Sequence, residues 1–168
     1  MAVATHYPVC ATCGSADILR DAWAGWNPLT GNWELDQVFD HAFCKECDGA
    51  ATLAWKPYSS KERIRLLNDA LRMGVFRGEH DRVVMTAGIS AQGDEFIQRA
   101  VRAVAEFTDF TPDCDPYEEH DFGEVTVDDQ KIFFKYDYYG LAMDGLSPDP
   151  ADPAVTARVL TIMLAHEY

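Results

Sequence analysis

Two cysteine pairs constrain the front of this chain more than any other feature: Cys10-Ala-Thr-Cys13 and Cys44-Lys-Glu-Cys47. A Cys-x-x-Cys turn sets two sulfurs on one side of an ion, and two such turns complete the tetrahedron of thiolates that zinc accepts. Gly14 follows the first pair and Asp48-Gly49 the second, where the backbone has to curl. The spacing therefore predicts one structural zinc per chain, held by Cys10, Cys13, Cys44 and Cys47. Four thiolates leave no open position for a catalytic water. A redox dithiol needs one pair, with a helix behind it to lower a thiol pKa, and neither pair is followed by a helical pattern. Two disulfides belong to secreted chains. His41 stands near enough in sequence to compete as a ligand, but the thiols already fill the set.

Around these pairs, residues 1–57 read as a β-rich zinc ribbon. Ile18, Arg20, Ala22 and Ala24 alternate with Leu19, Asp21 and Trp23, and Trp33–Phe39 alternates less cleanly. Between them, Asn27-Pro-Leu-Thr-Gly-Asn32 has the composition of a hairpin turn, and Ala51–Trp55 makes a third strand. Trp23, Trp26, Trp33 and Trp55 all fall here. A ribbon has little core, so these aromatics are expected beside the metal. Stacking on nucleic-acid bases is the competing use. Three basic residues (Arg20, Lys45, Lys56) against seven acids are a poor balance for phosphate. The run Cys10-Ala-Thr-Cys13-Gly-Ser-Ala-Asp17, then Asp21-Ala-Trp-Ala, then Phe39-Asp-His-Ala-Phe-Cys44-Lys-Glu-Cys47 resembles small bacterial zinc-ribbon proteins of unassigned function. The resemblance implies strands around zinc and no particular activity.

Residues 58–168 read as a second domain, entered through Lys56-Pro57-Tyr58. Ser59 and Glu62 form a capping box for a helix that carries Ile64, Leu67 and Leu71 on one face and stops at Gly74. Val83–Ile89 suits a strand. Asp94 opens a second helix with Phe96, Ile97, Ala100, Val101, Val104 and Phe107 facing inward. Gly123–Val127 and Lys131–Tyr138 form a hairpin around Asp128-Asp129-Gln130. Pro153 starts a last helix, expected to be the most buried element because Val155, Val159, Leu160, Ile162, Met163 and Leu164 cover more than one face. The fold class is α+β: the ribbon, then a small antiparallel sheet packed with about three helices. Arg63-Ile-Arg-Leu-Leu-Asn68-Asp69, Phe110-Thr-Pro-Asp-Cys-Asp-Pro116, Glu119-His-Asp-Phe-Gly123, Lys135-Tyr-Asp-Tyr-Tyr139 and Ser147-Pro-Asp-Pro-Ala-Asp-Pro153 resemble the bacterial domain of unknown function family 3768. That resemblance spans residues 60–168 and implies a fold unit and a home on mobile elements. It supplies no catalytic residues.

The formal net charge is −14. Ala103–Gln130 holds ten acids and neither lysine nor arginine. Such a stretch repels phosphate and attracts cationic surfaces. Asp109, Asp113, Asp115, Glu118, Glu119, Glu124, Asp128 and Asp129 are the expected partner-binding residues. The partner is expected to be a basic protein, one that handles nucleic acid, with this chain as inhibitor or DNA mimic. Direct nucleic-acid binding by the ribbon is the first alternative. An enzyme centred on His120, Asp121, Lys135 and Asp137 is the second, since these groups converge if the hairpin strands pair. Cys114 with His120 lacks an identifiable orienting group, and Asp113, Asp115 and Glu124 fail as a calcium loop because Glu118 occupies the glycine position. No stretch approaches the ~20 apolar residues of a membrane span. Met1–Val9 has neither a basic nor an apolar run, so a cytoplasmic location is expected.

Overall fold

The structure, a computed structural model, describes residues 3–168; residues 1 and 2 of the expected ribbon lie outside it. Backbone contacts divide the chain into two compact units, Ala4–Tyr58 and a second built on Ser59–Tyr168.

The first unit is all strand: β1 (His6–Cys10), β2 (Ile18–Asn27), β3 (Asn32–Cys44), β4 (Gly49–Ala50) and β5 (Leu53–Pro57). β1 pairs antiparallel with β5, and β2, β3 and β4 form a second antiparallel sheet. Pro8 hides β1 in the sequence, because proline within a run argues against a strand; here it sits opposite Trp55 in a two-stranded ribbon whose far edge is free. The β2–β3 turn closes with Gly31 at φ 67° donating its amide to the Asn27 carbonyl.

The tryptophans are not buried around the four thiols. Trp23, Trp26, Trp33 and Trp55 are all more than half exposed, from 54% to 70%. Register explains why. Ala22, Ala24 and Trp26 of β2 lie opposite Val38, Leu35 and Trp33 of β3. Residues directly opposite in an antiparallel ladder project to the same side. These six therefore make one apolar face, closed at its tip by Trp26 and Trp33 with ring centroids 5.7 Å apart. Trp23 packs edge-on against Phe39 at 4.8 Å. Among the described residues, no third strand pairs with this part of β2 and β3. Burial in the unit is confined to Val9, Cys10, Ala42 and Cys44, beside the knuckles.

The second unit runs α1 (Ser60–Arg72), β6 (Arg82–Met85), α2 (Ala87–Ser90), α3 (Asp94–Glu106), β7 (Phe122–Val127), β8 (Gln130–Gly140) and β9 (Thr156–Leu164), ending in a 3-10 turn, Ala165–Glu167. The Ser59–Glu62 capping box is present. Gly93, at φ 90°, takes the N-cap of α3, and Asp94 and Glu95 occupy its first turn, where their charge suits the helix dipole. Asp128 and Asp129 both adopt left-handed φ, 50° and 62°, the pair of values a two-residue hairpin loop needs. The sheet order is β6-β9-β8-β7; β7, β8 and β9 are antiparallel, and β6 adds a parallel edge.

β9 replaces the expected last helix. Its residues are buried almost throughout, on both faces. A central strand covered on both sides reads as a continuous apolar run, and over nine residues that run is indistinguishable from a buried helix by periodicity. The expected burial is observed; the helix is not. The core joins Ile89, Phe96, Ala100 and Val104 to Ile132, Phe134, Leu160 and Ile162. Gly123 admits this packing: a Cβ there would run into the Phe134 ring and would meet Phe107 at 2.8 Å.

A polar network crosses the same unit. Asn68, fully buried on α1, donates to the Glu119 carbonyl and the Tyr138 hydroxyl and accepts from Arg158 Nε at 2.7 Å. Tyr136 donates its hydroxyl to the Asn68 carbonyl at 2.6 Å. Arg158, also fully buried, donates to the Pro150 carbonyl and lies over the Tyr138 ring. Arg72 donates to the carbonyls of Val104, Ala105 and Phe107, closing the C-terminus of α3. Through these bonds α1 fixes where the 104–120 segment passes.

Candidate functional site

The two knuckles bring four thiols together. The sulfurs of Cys10, Cys13, Cys44 and Cys47 all lie within 4.8 Å of one another, close enough to hold one metal ion. Cys10–Cys47 and Cys13–Cys44 are 3.9 and 3.6 Å apart, far beyond the S–S bond of about 2 Å. Gly14 at φ 77° returns its amide to the Cys10 carbonyl, and Asp48 at φ 50° turns the second knuckle. Cys10 and Cys44 are buried, Cys13 and Cys47 exposed. Backbone amides of Cys13 and Thr12 hold the Cys10 thiol well below its usual range, at about 6. Hydrogen bonds with the Cys13 thiol, then those with Cys10 and Cys44, push Cys47 up to about 12. Thiols this close hold protons that a bound dication displaces. His41 takes no part; its Nδ1 meets Asp21 at 3.0 Å.

In the second unit the acids of 109–129 have divided fates. Asp115 is buried, accepting the backbone amides of Glu119 and His120, and so is not on a surface at all. Glu118 pairs with Lys61, Glu124 with Lys131 and Asp128 with Arg99. Burial, then the charge of Asp121, raises the Glu119 pKa. Asp109, Asp113 and Asp129 are exposed and have no basic partner among the described residues.

The residues expected to converge do so only in part. Asp121, Lys135 and Asp137 line one cleft of about 450 Å³, together with Asp113, Cys114 and Tyr168. Lys135 Nζ sits 3.0 Å from Asp137, an ion pair across one strand face. Burial, then the neighbouring Asp115 charge, raises the Asp121 pKa. His120 lines a different pocket. Its Nδ1 meets both Asp69 oxygens at 2.9 and 3.0 Å, and its ring stacks on Phe110 with centroids 3.7 Å apart. Asp69 in turn holds Arg72 at 2.9 Å. Asp69 is thus the orienting carboxylate that reading the 109–137 segment alone left out. Its signal lies in α1, where Lys61, Arg65, Asp69 and Arg72 recur at helical spacing on one face.

Residues 85–167 match the model of a family described as Protein of unknown function (DUF3768). The match takes in α2, α3 and β7–β9, and leaves α1 and the ribbon outside. No curated protein and no solved structure matches the chain. Among the described residues, no helix is long and apolar enough to cross a membrane.

Proposed function

We propose that this chain is a non-catalytic interaction protein: a zinc ribbon that displays a hairpin to a basic protein partner. One observation carries the reading. The four-thiol cluster sits at the foot of a two-stranded hairpin whose face of Ala22, Ala24, Trp26, Trp33, Leu35 and Val38 is exposed. Zinc suits the cluster because four thiolates at ~2.3 Å from one ion stand about 3.8 Å apart, and the Cys13–Cys44 and Cys10–Cys47 sulfurs are 3.6 and 3.9 Å apart. The metal's role is to fix the knuckles from which the hairpin springs. Contiguous exposed apolar surface of this kind is the mark of an interaction site, and tryptophans serve as anchors in binding pockets. The hairpin, residues 18–44, carries four acids against one arginine, Arg20, which pairs with Asp40, so its surroundings favour a cationic partner and disfavour phosphate.

A second reading places the basic partner on the acidic segment. It is supported by the three exposed, unpaired acids Asp109, Asp113 and Asp129, and it leaves the tryptophan face without a use. Both are tested with full-length protein from the native host, after metal analysis of the purified chain. The expectation is one zinc per chain and a partner released by salt. That partner is lost by Trp26→Ser/Trp33→Ser/Leu35→Ser and kept by Asp109→Lys/Asp113→Lys/Asp129→Lys. Loss by the lysine variant alone would transfer the site to the acidic segment. Absence of zinc, with native fold, would defeat the metal assignment.

A further inference from the structure

The α1 stripe that faces the 104–120 segment has one member left over. Lys61 pairs with Glu118, Asp69 with His120, and Arg72 with the carbonyls that end α3. Arg65, between Lys61 and Asp69 on the same face, has no hydrogen bond or ion pair among the described residues. It lines a pocket of about 230 Å³ with Phe110, Thr111 and His120. His120 lines the same pocket with one ring nitrogen left unpaired. Asp69 occupies Nδ1 and fixes the ring, and Nε2 has no partner among the described residues. The stack on Phe110 and the left-handed backbone at His120, φ 55°, hold the ring in place. A non-glycine residue in that conformation persists only where its surroundings enforce it. Two amides donated to Asp115 enforce it here.

The two acids on the pocket wall are already engaged. Asp115 is buried under the backbone amides, and Glu118 is held by Lys61. What remains available is a guanidinium and an imidazole Nε2, around a space for a few heavy atoms; the Thr111 hydroxyl meets the Cys114 sulfur at 3.5 Å. A guanidinium presents paired donors that match the oxygens of a phosphate or carboxylate.

The geometry points to a binding site for a small oxyanion, a phosphoryl or carboxylate group, gripped by Arg65 and oriented by His120 Nε2. Arg65 is the ligand-selecting residue, and Asp69 is a positioning residue that acts through His120. The site lies in the second unit and does not depend on the hairpin reading.

The test uses the full-length chain, with inorganic phosphate and acetate as probes, followed by calorimetry and by the ring-nitrogen resonances of His120. Saturable binding is expected, with a dissociation constant on the order of 1 mM for so small a probe, and with movement of Nε2 rather than Nδ1. Arg65→Ala should weaken it at least tenfold with only a small shift of the unfolding transition, since that side chain makes no hydrogen bond or ion pair among the described residues and acts on Glu62 and Glu118 through its charge alone. Arg65→Lys should recover only part of the affinity, because an ammonium lacks the paired donors. Tighter phosphate would assign a phosphoryl group and tighter acetate a carboxylate; either sustains the site. Binding unchanged in Arg65→Ala, or no saturation with either probe, overturns it.

Discussion

Replacing Asn68 with alanine should unlock the second unit. The side chain makes three bonds inside a fully buried site: to the Glu119 carbonyl at 2.8 Å, to the Tyr138 hydroxyl at 2.7 Å, and from Arg158 Nε at 2.7 Å. Arg158 Nη1 has no partner among the described residues, so the substitution would leave a second guanidinium nitrogen unmatched. A neutral buried group left without its partner costs about 1–3 kcal/mol, and a charged donor more. Some relaxation is expected, and a loss of about 4 kcal/mol follows for the three together. Against a typical stability of roughly 5–15 kcal/mol, that is a large share. For a unit of this size it lowers the midpoint of thermal unfolding by about 15–25 °C. Asn68→Asp keeps the acceptor for Arg158 but loses both donors, and should fall between the two proteins. The chain provides its own separation of signals. Among the described residues every α-helix lies in the second unit, and all four tryptophans lie in the ribbon. Urea unfolding followed by helical circular dichroism therefore reads the second unit, with tryptophan emission as an internal reference. A loss below about 1 kcal/mol in the helical transition, the size of one ordinary surface change, would refute the view that Asn68 ties α1 to β8 and β9.

Two further outcomes follow from the same packing. Gly123→Ala forces a methyl group into the Phe134 and Phe107 rings and should cost about 1–3 kcal/mol, read as a lower urea midpoint with unchanged slope. Asp121→Asn should raise stability at neutral pH. The carboxyl pKa is raised in the folded state, first by burial and then by Asp115, so its ionisation opposes folding at neutral pH, and that penalty disappears as acid protonates it. The gain should therefore be full at pH 7 and vanish below about pH 4, where the unfolded carboxyl is also protonated; a gain that persists in acid would show another cause.

The sequence carries its strongest information where chemistry and spacing coincide. Two Cys-x-x-Cys pairs define a metal-sized cluster because ligand geometry is local to each turn. The capping box at Ser59 and the Asp128-Asp129 loop are legible for the same reason. β9 was not, because Thr156–Leu164 is apolar on both faces and helical and strand periods merge in so short a run. The tryptophans misled for a different reason. Composition says that large aromatics tend inward, but the pairing of Ala22, Ala24 and Trp26 with Val38, Leu35 and Trp33 puts them on one face that stays exposed among the described residues. The Asp69–His120 contact joins residues 51 positions apart. Neither partner carries a local mark of the other, although the spacing of Arg65, Asp69 and Arg72 along α1 marks a face with a purpose.

The position of β9 also has a temporal meaning. It is the last strand of its sheet to be synthesised and the one that both β6 and β8 pair with. Until it emerges, β6 has no neighbour, and the β7–β8 hairpin presents an open edge lined by Ile132 and Phe134. Closing the parallel β6–β9 pair also requires the longest loop in the sheet to be gathered first, a step that slows folding. The knuckles, complete once Cys47 is made, are under no such delay. The ribbon can therefore take shape during translation, whereas the sheet of the second unit waits for its centre, and nascent or truncated chains lacking β9 should be the forms that need a chaperone.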